Sequence, residues 1–222
     1  KDYQADASTI EMVYELNRKY KKQVEDTEEI SRNVNWKLAN FEFDNLFNYG
    51  EDNSVSFDKL NGIVGIFGKN YSGKSSIVDG LLWTVFNTTS KNERKNVNVI
   101  NQNRPSCRGK VTIEVGHNIY TIERTAEKYT KKLKGEVTEE AKTDLNFEVL
   151  DKTTDEVRSL NGLSRPQTDA NIRKHFGTID DFLVSSLASQ HGALAFIDEG
   201  STRRKEIIAK FLDLEEFEQK FK

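Results

Sequence analysis

Two glycines, a lysine and a serine at fixed offsets are the residues of this sequence best placed to do chemistry. Gly68-Lys69-Asn70-Tyr71-Ser72-Gly73-Lys74-Ser75 has the spacing G-x-x-x-x-G-K-S of a phosphate loop. Such a loop turns successive backbone N–H groups inward at an anion, and its glycines admit the backbone turn and the close approach that a Cβ would block. Lys74 is the side-chain cation for β- and γ-phosphates, and the Ser75 hydroxyl is the candidate Mg²⁺ ligand. A phosphate loop needs a strand before it and a helix after it. The apolar run Ile63-Val64-Gly65-Ile66-Phe67 reads as a buried strand, and Ile77, Val78, Leu81, Leu82, Val85 and Phe86 recur at helical spacing behind Ser76. The N-terminal end of that helix, with its partial positive charge, would face the phosphates.

The elements around this unit are mostly legible as short strands. Ser8-Thr9-Ile10-Glu11 fits a capping box, and Val13, Leu16, Tyr20 and Val24 continue an amphipathic helix to about Ser31. Residues 37–43 and 54–57 alternate as strands around the turn-rich segment 48–53. Beyond the loop helix, 87–108 reads as a polar surface loop. Strands are expected at 110–115 and 118–124, joined through Gly116-His117 as a hairpin, and at 145–150. The very polar segment 128–142 is expected to separate the last two. Helices are expected from Thr168 or Asp169 to Phe176, from Asp180 to about Leu187, and from Ser201 onward.

Composition narrows the chemistry further. The chain has 222 residues, is 31% charged and carries a formal net charge of −3, so any nucleic-acid contact would be local rather than global. No run of 18 apolar residues and no signal-peptide core occurs, which predicts neither a membrane span nor a secreted protein. Cys107 is the single cysteine, excluding an internal disulfide and a cysteine zinc site, and His117, His175 and His191 lack metal-ligand spacing. The expectation is a cytoplasmic protein in a reducing compartment. The sequence starts at Lys1 without methionine and stops inside a helical pattern, so a part of a longer polypeptide is expected.

The loop alone does not choose among kinases, GTPases and ATPases. The D-x-x-G and N-K-x-D patterns of GTPases are absent, and the segment after the loop helix is β-rich where a kinase lid would bring arginines. An ATP-binding-cassette arrangement instead needs an early antiparallel region and a distant glutamine. Ser189-Gln190-His191-Gly192 supplies one. Together with Asn45 to Gly50, the phosphate loop, Tyr120-Thr121-Ile122-Glu123-Arg124, Phe196-Ile197-Asp198, Arg203 to Glu206 and Phe211 to Leu214, it makes residues 36–222 resemble the N-terminal half of an SMC-superfamily ATPase head. The nearest subgroup is the double-strand-break repair ATPase, SbcC in bacteria and the large recombination endonuclease subunit in phages. Tyr71 departs from the glycine common at its position.

The resemblance implies an α/β P-loop NTPase fold of the ATP-binding-cassette/SMC head type: an N-terminal lobe with an antiparallel β subregion, a mixed sheet flanked by helices, and the start of a coiled coil. Residues 1–34 would be a helical extension, 35–202 the head lobe, and 203–222 the ascending helix. The amides from Lys69 through Asn70, Tyr71, Ser72 and Gly73 to Ser75 would wrap ATP, with Gly68 and Ser76 bounding the loop and Asn48 approaching the nucleotide. Lys74 would neutralise its charge. Ser75 and Gln190 would ligate Mg²⁺, Gln190 also sensing the γ-phosphate. Partners implied are the C-terminal half of the head, which carries the signature motif and the Walker B acid, a second head in a homodimer, a metallophosphoesterase nuclease subunit and double-stranded DNA. Lys128, Lys131, Lys132 and Lys134 near a hairpin tip, and Lys91, Arg94 and Lys95, could meet DNA phosphates, or could be solvated loops. Two other readings stay open: a self-contained kinase or NTPase using Asp198 and Glu199, and a non-enzymatic ATP-gated interaction module.

Overall fold

The computed structural model describes residues 6–25, 36–60, 62–70, 72–90, 95–133, 136–179, 182 and 200–211. Contacts divide the chain into two units, one of residues 1–32 with 180–222 and the other of residues 33–179. In the first unit the described elements are two helices, α1 (Ala7–Glu25) and α4 (Ser201–Phe211). Asp6 takes the capping place before α1, its carboxylate accepting from the Thr9 N–H at 2.7 Å and the Ser8 hydroxyl at 3.1 Å. The expected helix from Asp180 and the glutamine segment 189–192 lie outside the described residues, as do Asp198 and Glu199.

The second unit is built on a six-stranded sheet in the order β2-β1-β3-β4-β5-β6, antiparallel at every pair. The strands are β1 (Lys37–Asp44), β2 (Asn53–Ser56), β3 (Ser106–Val115), β4 (Asn118–Leu133), β5 (Glu136–Asp151) and β6 (Glu156–Ser159). Two helices belong to it, α2 (Lys74–Phe86) and α3 (Arg165–Phe176). Alternation sends Phe41, Phe43, Val111, Ile113, Ile122 and Phe147 inward, where Leu46, Trp83, Ile172 and Phe176 join one core. Glycine lets α2 approach the sheet closely: a Cβ on Gly109 would collide with Thr84 Oγ1, and one on Gly80 would stand 3.0 Å from Leu46. The Thr84 hydroxyl is kept down by donating to the Gly80 carbonyl at 2.8 Å. The C-terminus of α2 is closed by Asn87 in the left-handed region (φ 57°), its N–H donating to Trp83 O.

Three expectations change. The run Ile63–Phe67 forms no strand and pairs with no described one, and Ile63 and Phe67 are almost wholly exposed. Hydrophobicity predicts a need for burial without naming the neighbour that meets it, and among the described residues there is none. Residues 128–133 and 136–142 do not form a separating loop; they carry the β4–β5 ladder on from Lys128↔Ala141 to Leu133↔Glu136. Cross-strand pairing between opposite charges, with β-branched Thr130, Val137 and Thr138 among them, holds this arm together despite its polarity. Helix α3 starts ahead of the expected cap, at Arg165 after Ser164, because Pro166 in the first turn has no N–H to lose there. Strand β6, the sheet edge beside β5, was not expected.

Candidate functional site

The phosphate loop opens α2. Gly73 is the residue before the helix and holds a left-handed conformation (φ 90°, ψ 11°) that an L side chain rarely adopts. Its carbonyl accepts the first helical bond from the Ser76 N–H at 2.9 Å, while the Ser72 N–H turns back to Lys69 O at 3.2 Å. At the other end, a Cβ on Gly68 would stand 2.7 Å from the Ser72 hydroxyl. The two fixed glycines are thus where the curl leaves no room for a side chain. The first turn of α2 has no acidic residue to compete for its free N–H groups.

Lys74 and Ser75 are the side chains of the loop that the sequence assigns to the phosphates and the cation. The Lys74 ammonium folds over the loop and donates to Gly68 O at 2.9 Å and Lys69 O at 2.6 Å. It is therefore held across the carbonyls at the start of the turn. Ser75 is exposed in the first turn of α2, and its hydroxyl is of the oxygen type that Mg²⁺ takes. Lys69, Asn70 and Ser72 are exposed along the loop. Tyr71 and the proposed second Mg²⁺ ligand, Gln190, lie outside the described residues. The curl that a Cβ would obstruct, together with the lysine and serine at its rim, fits a Mg²⁺-bound polyphosphate on the residues that are described.

The loop after β1 comes to the same place. Asn45 and Phe47 turn with positive φ (55° and 52°), and Asn48 is exposed at the tip. Tyr49, next to it, donates its hydroxyl to Gly73 O at 3.1 Å. No local pattern marks Tyr49, because the contact spans 24 positions of sequence. Asp79, inside α2, accepts from the Ser90 N–H at 2.8 Å, and Trp83 Nε1 donates to Asn96 Oδ1 at 2.8 Å, so the loop leaving α2 is tied back to the helix.

Behind the helix lies a second group that sequence reasoning did not single out as functional. Arg124 is fully buried; its Nε donates to Thr84 O at 3.0 Å and its Nη2 to Asp169 at 2.6 Å, while Nη1 has no hydrogen-bond partner. Burial pulls its pKa down and Asp169 pulls it back up. The guanidinium bridges α2 and α3 across the sheet. Cys107 is buried with its thiol pKa pushed up to about 12 by desolvation, which makes it a poor nucleophile.

Of the lysines expected to meet DNA, Lys128 is turned inward, donating to Asn101 O at 3.3 Å and Gln102 O at 3.1 Å, with Glu139 at 4.0 Å. Lys131 pairs with Glu140 at 3.1 Å, and the Tyr129 hydroxyl also donates to Glu140, at 2.7 Å. Lys132 is exposed, and Lys134 lies outside the described residues, as do Lys91 and Arg94. The described arm mixes both signs of charge.

Residues 41–222 match a family model described as an AAA domain. An uncharacterized protein of Acanthamoeba polyphaga mimivirus is 28% identical over 228 residues, covering 96% of this chain and 16% of that protein. The DNA double-strand break repair Rad50 ATPase of Sulfolobus acidocaldarius is 35% identical over 74 residues, 33% of this chain and 8% of its own length. The chain therefore spans less than a fifth of the curated relatives it matches. Two structures of the recombination mediator protein RecF are similar at 15% identity. The one with ATP has a TM-score of 0.36, covering 49% of this chain and 28% of RecF; the other has 0.41, covering 80% and 38%. No described helix is long and apolar enough to cross a membrane.

Proposed function

Because the chain belongs to the AAA domain family, we propose that it is the ATP-binding N-terminal lobe of a coiled-coil ATPase head that acts in DNA repair or recombination. The observation that carries this reading is the phosphate loop itself, with its left-handed Gly73 opening α2 and Lys74 at the rim. The amides of Lys69 to Ser75 hold the triphosphate, and Lys74 exchanges its two backbone carbonyls for β/γ-oxygens. Ser75 and Gln190 would hold Mg²⁺, which would supply positive charge to neutralise the phosphates. Similarity to a Rad50 ATPase over part of the chain supports the repair context.

The partners follow from what the lobe leaves exposed and unsupplied. An apolar stretch, Ile63, Val64, Ile66 and Phe67, runs in the open straight into the loop. In this reading it is covered by the C-terminal half of the head, which brings the catalytic acid. A second head across the nucleotide brings the signature motif, so ATP joins two heads and hydrolysis releases them. The joined heads hold double-stranded DNA and govern a metallophosphoesterase nuclease subunit.

The test uses the chain with and without its complement. Alone it should bind Mg-ATP, with turnover negligible; Lys74→Ala should abolish tight binding in calorimetry. Adding the C-terminal half should restore turnover, and Gln190→Ala should then lower it about 10²-fold, the scale for one positioned polar group at a charge-developing site. Rapid hydrolysis by the chain alone, lost on Glu199→Gln, would instead establish a self-contained NTPase.

A further inference from the structure

Tyr49 lies outside the phosphate-loop motif and yet touches its last glycine in two ways. Its hydroxyl donates to Gly73 O at 3.1 Å. Its ring edge and oxygen also lie 3.2 to 3.5 Å from where a Cβ on Gly73 would be, so the ring fills the space that the glycine leaves. Burial raises the pKa of the phenol, which keeps the proton it donates.

Tyr49 is itself firmly mounted. Its N–H donates to Leu46 O at 2.9 Å, and its carbonyl accepts from Asn101 Nδ2 at 2.9 Å. The ring meets Phe43 of the core edge-on, with centroids 5.1 Å apart and planes at 88°. The loop that carries it is pinned as well, by Asn101 N–H to Asn45 O at 2.8 Å and Asn45 N–H to Gly50 O at 2.7 Å. A rigid arm from the core thus ends on the left-handed Gly73 of the phosphate loop.

The consequence comes from the planarity of the peptide bond. The Gly73 carbonyl and the Lys74 N–H belong to one plane and point in opposite directions, so whatever aims the first aims the second. Glycine by itself has little preference between φ values of either sign. A hydrogen bond on its carbonyl, added to a ring against its Cα, selects one.

We propose that Tyr49 is a positioning residue of the nucleotide site, fixing the Gly73–Lys74 peptide so that the Lys74 N–H faces the bound phosphates. The proposal deepens the ATP-binding reading above and rests on it. Tyr49 contributes preorganisation, in that the loop need not search for its anion-binding form when the nucleotide arrives.

The experiment measures Mg-ATP affinity of the whole chain by calorimetry for the parent, Tyr49→Phe and Tyr49→Leu, with thermal unfolding and amide hydrogen exchange of each ligand-free protein. Tyr49→Phe keeps the ring and should weaken Mg-ATP about two- to tenfold, the fold-change of one neutral hydrogen bond, and should speed exchange at the Lys74 and Ser75 amides. Tyr49→Leu should weaken binding further. Parent affinity in both folded variants, even with a lowered melting temperature, would make Tyr49 a merely structural residue and overturn the proposal. A parent chain that binds no Mg-ATP would overturn the ATP reading first, and the role of Tyr49 with it.

Discussion

Arg124→Met should be among the most damaging single changes in the chain. The parent side chain is fully buried and ties three elements together: β4 carries it, α2 receives its Nε at Thr84 O, and α3 receives its Nη2 at Asp169. Removing it leaves the carboxylate, whose side chain is only 14% exposed, without its cation, and leaves a helix carbonyl without its donor. Breaking one partner of a buried pair costs about 3–5 kcal/mol. For a domain of this size that lowers the melting temperature by about 6–20 °C, at about 2–4 °C per kcal/mol. Asp169→Asn keeps an acceptor for Nη2 but strands the guanidinium, whose Nη1 already lacks a partner, and should cost nearly as much. The double variant Arg124→Met/Asp169→Asn buries no unpaired charge, and the cycle should return a coupling of about 1–3 kcal/mol. Denaturant and thermal unfolding of the four proteins measure it. A loss under about 1 kcal/mol for Arg124→Met, or strict additivity in the double variant, would refute the argument that this pair joins α2 to α3.

Three further outcomes follow from the same geometry. Charging the exposed apolar run, as Ile63→Asp with Phe67→Asp, should leave the melting temperature of the chain within about 1 °C, as surface changes do, yet prevent association with the C-terminal half in a pull-down; association at parental strength would exclude this run from the interface. Tyr129 and Lys131 hold the Glu140 carboxylate below its ordinary value, so its folded pKa is the depressed one. The pairing should therefore support the arm above the ordinary glutamate pKa and be lost as pH falls through the folded value, and a carboxyl NMR titration at or above the ordinary midpoint would contradict it. If the arm meets double-stranded DNA, Lys131→Glu with Lys132→Glu should flatten the salt dependence mainly through the exposed Lys132, by about one counterion; an unchanged slope in a binding isotherm series would remove the arm from the DNA interface.

How much was legible in the sequence depended on how far apart the cooperating residues are. The phosphate loop and α2 are contiguous, so spacing and period suffice to place Gly68, Gly73, Lys74 and Ser75, and the β3–β4 hairpin announces itself through Gly116, which turns with φ 57°. The far arm of β4 and β5 was misread because its residues are polar on both faces. What holds it is pairing across strands, Lys131 to Glu140 and Tyr129 to Glu140, and a window along one strand contains only half of each pair. Arg124 meets its partners 40 and 45 positions away, and Tyr49 meets Gly73 at 24. An arginine in an alternating strand, like a tyrosine in a loop, looks the same in the sequence whether it faces water or a helix terminus.

The segment 63–67 shows a different limit, and the more instructive one. Its apolar residues predict a buried strand, and within residues 33–179 they stand exposed. Hydrophobic burial is a property of two surfaces, and one chain segment states only one of them. The contrast with β1 makes the point: Phe41 and Phe43 are buried because β3 pairs beside them and α2 joins the same core, its Gly80 against Phe41. No described element of residues 33–179 does so for Ile63 and Phe67, although they lead directly into the residues that would hold the phosphates. A lobe folded this way can preform its phosphate loop, with Tyr49 and α2 holding it from the core side, while the apolar run before it stays uncovered. In the proposed half-head, binding and turnover can thus separate, since the groups that hold the nucleotide are anchored to the core and those that must complete the site dock through the exposed run.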